Sequence, residues 1–145
     1  MIATQWPQRP PEPDTDLTVW WEGSPRVPSD LTWLRRELRA AVGYRSEQRG
    51  EADVLDRLLL VLEELASNGL RHGRPPVSVV LAAVSTGWLL DVSDAAVDHP
   101  PAPALGRDAA AGGMGLPLVA RLAAAHGWTV QGGRKHVWAI IDAGS

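Results

Sequence analysis

The chain is predicted to adopt an α+β fold, a two-layer α/β sandwich, and three observations carry that prediction. Strand-like and helical stretches follow one another in runs and are not strictly interleaved. A long amphipathic helical stretch ends at Gly73, with Pro75 and Pro76 just beyond it. Two strand pairs with short connections, over residues 77–94 and 127–141, supply most of a sheet.

In chain order, residues 1–16 (MIATQWPQRPPEPDTD) contain Pro7, Pro10, Pro11 and Pro13 and few residues that can pack. They are expected to form a flexible tail ahead of one domain, residues 17–145. LTVWWE (17–22) reads as a short strand, ended by Gly23 and Pro25. Ser29 or Asp30 can cap a helix reaching about Val42, with Leu31, Leu34, Leu38 and Ala41 along one stripe. Residues 43–50 read as a polar loop, and a longer helix runs from about Glu51 to Arg71. VSVVLAAV (77–84) and WLLDVSD (88–94) are two strands joined by a turn at residues 85–87. Residues 95–115 are rich in Pro, Ala and Gly without periodicity; a stretch of this length within a domain is usually functional or mobile. A helix from about Leu116 to Ala125 follows, and GWTVQ and KHVWAII then flank residues 132–134 as a hairpin.

Composition narrows the function classes. A 45% hydrophobic content suffices for a core, and a net charge of −3 gives no electrostatic reason to expect nucleic acid or an anionic membrane. Without cysteine there is no disulfide framework, thiolate nucleophile or thiolate metal site. No signal-like segment or membrane-length apolar run occurs, so a soluble, cytoplasmic protein is expected. His99, His126 and His136 have no metal-ligand spacing. Seven Trp with no Phe make Trp the main source of aromatic volume; Trp6, Trp20 and Trp21 belong either to that core or to an interface.

Three local features bear on chemistry. In EELASNGLRHG (63–73), Glu64, Asn68 and His72 recur at four-residue steps, about 40° apart around a helix. This row borders the apolar stripe Leu55, Leu58, Leu62 and Leu65, whereas Glu63 lies well around the helix. It is either a solvated helix edge or the lining of a cleft. There, a carboxamide oxygen could ligate Mg²⁺ and a carboxylate could polarise an attacking hydroxyl. Strand alternation places Asp94 on one face with Leu90 and Val92. If that face is inward, Asp94 enters a buried pocket and needs a donor such as an exocyclic amine; otherwise it opens the loop. In GGMGLPLV (112–119), Gly113 and Gly115 let backbone approach an anion before a helix, or form a simple hinge.

Taken together, Glu-x-x-x-Asn on a helix, a strand ending in Asp, a loop of some twenty residues and Gly-x-Gly opening a helix resemble the GHKL (histidine-kinase-like) ATPase superfamily. The chain looks most similar to its single-domain branch of anti-sigma-factor serine kinases, over roughly residues 17–142 and supported also by VSDAA and GGRKHVWAII. The resemblance implies the Bergerat fold, with ATP and Mg²⁺ as cofactors. It implies Glu64 as general base, Asn68 as Mg²⁺ ligand, and Asp94 as reader of the adenine amine, with Ala96 where relatives often carry glycine. Gly113, Met114, Gly115 and Leu116 would form the phosphate turn, and residues 95–112 an ATP lid that contains Arg107, Pro100, Pro101 and Pro103. No stretch resembles a phosphoacceptor-histidine dimerisation helix. The implied function is an ATP-dependent serine/threonine kinase acting on a sigma-factor or anti-anti-sigma-like partner in transcription control. The alternative is a non-catalytic partner-binding switch. Homodimer formation is left open.

Overall fold

The computed structural model describes residues 6–49, 52–101 and 115–143, with the backbone alone described at residues 44–49 and 52. Strand β1 (Thr18–Gly23) leads to helix α1 (Asp30–Arg49) and helix α2 (Ala52–His72). Strands β2 (Ser78–Val84) and β3 (Gly87–Asp94), helix α3 (Leu116–Leu122), and strands β4 (Ala125–Gln131) and β5 (Arg134–Asp142) complete the order. The five strands form one antiparallel sheet in the order β1-β2-β3-β5-β4. The result is the expected two-layer α+β sandwich.

The helical layer follows from apolar spacing. Leu58, Leu62 and Leu65 of α2 are fully buried, as are Leu34, Leu38 and Val42 of α1. They meet Val79 and Leu81 of β2, Leu90 and Val92 of β3, and Val137, Ala139 and Ile141 of β5 in one core. Burial on this scale contributes roughly 1.5–3 kcal/mol for each large aliphatic side chain. Helix α2 lies between α1 and α3 and packs on β3 and β5. A smaller apolar cluster, Ala82, Leu89 and Trp138, lies outside that core.

The observed elements depart from the sequence reading in three places. Helix α1 runs through the segment expected as a loop, to Arg49. Its extension contains helix-tolerant residues such as Arg45, Glu47 and Gln48, so propensity does not stop it. Helix α3 ends at Leu122, where Ala123 turns to extended backbone, and β4 begins at Ala125. Residues 6–16 are docked, in contrast to the expected free tail; residues 1–5 lie outside the described residues. Trp6 is buried and its Nε1 donates to Gly127 O at 2.8 Å. Trp128 N donates to Pro7 O at 2.9 Å and Arg9 N to Trp128 O at 2.8 Å, so this stretch runs parallel along the free edge of β4. Asp14 then accepts from Ser85 N and Oγ in the β2–β3 turn. Proline disfavours helix and central strand but leaves an edge pairing and an anchoring Trp available.

The other two candidate interface tryptophans also have packing roles. Trp20 stands edge-on to Trp88 with ring centroids 5.6 Å apart, and half-buried Trp21 donates from Nε1 to Glu37 at 3.1 Å. No helix among the described residues is long and apolar enough to cross a membrane.

Candidate functional site

The C-terminal half of α2 forms one wall. Its two adjacent glutamates diverge as helical geometry requires: Glu63 pairs with Arg35 of α1 at 3.3 Å, with both side chains nearly half exposed. Glu64 turns the other way and accepts a hydrogen bond at Oε1 from Gly115 N, 3.1 Å away. Burial pushes the Glu64 carboxyl above its usual range; the Gly115 N–H opposes this, Glu63 adds to it and Arg71 opposes it. One turn on, Asn68 is partly exposed, and His72 at the helix end is exposed.

At the far end of the helix, Asp94 is 1% exposed, on the inward face with Leu90 and Val92. Its Oδ1 accepts from Ala96 N at 2.7 Å and, more weakly, from Arg74 N at 3.4 Å. Gly73 makes this approach possible: a Cβ there would overlap the Asp94 carboxylate and lie 2.7 Å from Gly69 O. Helix α2 therefore meets Gly115 at Glu64, and Gly73, the residue just past its end, lies against Asp94. Nine residues of helix separate these points by roughly 14 Å, which gives a ligand a wall with a carboxylate at either end.

Gly115 caps α3 with φ 63°, in the left-handed region that favours glycine, and Pro117 sits in the first turn without disrupting it. Leu116 is buried and holds the start of α3 in the core. Gly113, Met114, Arg107 and Pro103 lie outside the described residues, as does the remainder of the predicted lid between residues 102 and 112. Ala96 is buried beneath the start of that segment, His99 and Pro100 are exposed, and Pro101 is buried.

The sequence reading missed Lys135. It is 2% exposed, faces Asp94 in the β3–β5 register, donates from Nζ to His99 O at 2.8 Å and lies 3.6 Å from Asp94 Oδ2. The signal was present: alternation along β5 puts Lys135 on the same face as Val137, Ala139 and Ile141. No cluster of three or more His, Asp or Glu able to hold a metal occurs among the described residues. A divalent ion here would be held by Asn68 together with oxygens of a ligand. A partly exposed carboxamide beside a half-buried carboxylate fits a hard, oxygen-preferring ion such as Mg²⁺.

A family model described as histidine kinase-like ATPase domain matches residues 27–141. A search of curated proteins finds no match.

Proposed function

The chain belongs to the histidine kinase-like ATPase domain family, and on that premise we propose that it binds ATP with Mg²⁺ and controls a protein partner by phosphorylating or sequestering it. The observation that carries the reading is the wall along α2, with Glu64 linked to Gly115 at one end and Gly73 seated against buried Asp94 at the other. A nucleotide laid along this wall puts its base at Asp94 and Ala96 and its phosphates near Gly115 and Leu116; Gly113 and Met114 are assigned to the same turn by the resemblance alone. Asn68 would hold Mg²⁺ through its amide oxygen, and the ion would supply positive charge that offsets the phosphates.

In the kinase reading, Glu64 takes the proton from a serine or threonine hydroxyl of the partner. The freed oxygen attacks the terminal phosphorus, and ADP departs. A carboxyl whose proton affinity is raised by burial is better matched to that task than a fully solvated one. The partner we infer from the resemblance is a sigma factor or an anti-anti-sigma-like protein, met in transcription control in the cytoplasm, with a homodimer as the assembly to test by sedimentation. A second reading, a switch that holds its partner without turnover, is favoured by one observation: Lys135 lies against the carboxylate that the base would use.

Calorimetry with Mg·ATP on the purified chain tests the site. Asn68→Ala is expected to abolish binding, whereas Glu64→Ala binds but does not turn over. Unchanged affinity in Asn68→Ala would remove the site assignment, and turnover by Glu64→Ala would remove the base.

A further inference from the structure

A cleft of about 510 Å³, within the size range of small-molecule sites, lies where the loop after β1 faces the end of α2. Ser24, Pro25 and Arg26 line one side; Gly69 and Leu70 of α2, Gly73 and residues 75–77 line the other. Glu64, Asn68, Asp94 and Gly115 are not among its lining residues. Helical geometry requires this separation, because Gly69 and Leu70 point about 100° and 200° away from Asn68 around the axis. The cleft therefore sits on the opposite side of α2 from the row of Glu64 and Asn68.

Both walls are anchored from outside the cleft. On one side, Asp30 Oδ2 accepts from Arg26 N at 2.8 Å and Val27 N at 3.2 Å. On the other, Arg134 Nη2 donates to Pro76 O at 2.6 Å, and the same guanidinium holds Ser93 Oγ. Ala95 N donates to Arg74 O at 2.9 Å. A ligand entering the cleft has no need to order these walls, which lowers the cost of binding.

The lining has two chemical sides. Leu70 and Val77 present apolar surface together with the three prolines, whereas the Ser24 hydroxyl and the Arg26 guanidinium both come from the β1–α1 loop. Two backbone N–H groups dominate the environment of the neighbouring Asp30 carboxylate, and the Arg26 charge affects it least. Arg26 thus keeps donors for an incoming anion. We propose that this cleft is a second ligand site, taking a small monocarboxylate with an apolar ring or branched chain. Its body packs on Leu70, Val77 and the prolines, and its carboxylate accepts from Arg26 and Ser24. Arg74, between the lining residues Gly73 and Pro75, donates from N to Asp94 Oδ1 at 3.4 Å and accepts from Ala95 N. A ligand in the cleft therefore bears on the loop that holds Asp94.

NMR titration of the isotope-labelled full chain tests this with three probes: phenylacetate, the neutral phenylacetamide and the cationic phenethylamine. Phenylacetate is expected to bind in the millimolar range of a fragment, the amide more weakly and the amine weakest. The amide signals of Arg26, Leu70, Gly73, Val77 and Ala95 should move, while those of Glu64 and Gly115 stay in place. Arg26→Gln, a change at an exposed side chain, is expected to weaken phenylacetate by roughly fivefold and leave phenylacetamide unchanged. Equal affinity for the three probes, or unaltered phenylacetate affinity in Arg26→Gln, overturns the ligand class. Shifts centred on Glu64, Asn68 and Gly115, or no saturable shift at all, overturn the site. Phenylacetate binding should persist under saturating Mg·ATP, and mutual exclusion of the two overturns the inference. A chain that takes phenylacetate in the cleft but not Mg·ATP supports this site and overturns the nucleotide reading alone.

Discussion

At the scale of the residue, Glu64 is held in a state that costs the fold something. Burial raises its pKa above the ordinary 4.5, against the Gly115 N–H and Arg71, which favour the charged form. The folded chain then binds this proton more tightly than the unfolded chain does. Stability from this group is therefore lost as pH rises from 4.5 through the folded value. At neutral pH the ionised carboxylate is a net liability. Glu64→Gln keeps an oxygen to accept from Gly115 N and removes the charge, so its melting temperature is expected to rise by roughly 1–3 °C, and under the proposed kinase reading turnover is lost. A melting temperature below wild type, measured by scanning calorimetry, would contradict this. Part of this site was legible at residue level: helical spacing separated Glu64 from Glu63, and alternation grouped Asp94 with Leu90 and Val92, but which face turns inward depends on the sheet's packing against α2. Lys135 was not singled out, because a charged residue within an apolar strand pattern is ordinarily assigned to the solvent face, and its burial depends on Asp94 of a strand forty residues away.

The elements show where local pattern is sufficient and where it is not. Helix α2 and strands β2, β3 and β5 are marked by apolar runs between turn residues, so their existence was readable to within a few residues. The α1 extension to Arg49 was not, since residues 43–49 (GYRSEQR) continue no apolar stripe in the sequence. The N-terminal stretch departs furthest from expectation, because nothing local to a proline-rich sequence announces the β4 edge it pairs with. Docking there also protects an edge strand from pairing with other chains. The anchor is Trp6, buried in the main core, with its ring centroid 4.4 Å from that of His126 and its N–H bonded to Gly127 O. Trp6→Ala is expected to cost roughly 3–5 kcal/mol in urea denaturation, as for other buried aromatics. Deletion of residues 1–9 should cost at least as much. A deletion that leaves the unfolding midpoint unchanged would show that the strap adds nothing to the fold.

For the whole molecule, two histidines on neighbouring strands give stability opposite slopes with pH. His136 of β5 lies with Nδ1 3.1 Å from both carboxylate oxygens of Asp91 on β3. That hydrogen bond, aided by the Asp91 charge, raises its pKa above 6.5 despite burial and Arg134. The native state therefore holds the proton more tightly; this stabilisation is complete below 6.5 and lost as pH rises through the folded value. His126 of β4 behaves oppositely. Burial first, and then the Arg9 charge brought in by the N-terminal strap, depress its pKa below 6.5. There the unfolded chain binds the proton more tightly, so stability falls as pH drops below 6.5. The Glu64 contribution runs against this acidic limb, from 4.5 upward, but its partial exposure weakens it. Together the histidines predict a melting temperature that peaks near the ordinary histidine value and declines to either side. Calorimetric scans between about pH 5.5 and 8.5 should show His136→Gln flattening the alkaline limb only, and His126→Gln the acidic limb only. Because Arg9 reaches His126 only while the strap is docked, removal of residues 1–9 should also soften the acidic limb and leave the alkaline one in place. Parallel profiles for wild type and His136→Gln would mean that the Asp91 pair does not survive in solution, and the alkaline decline would then require another group.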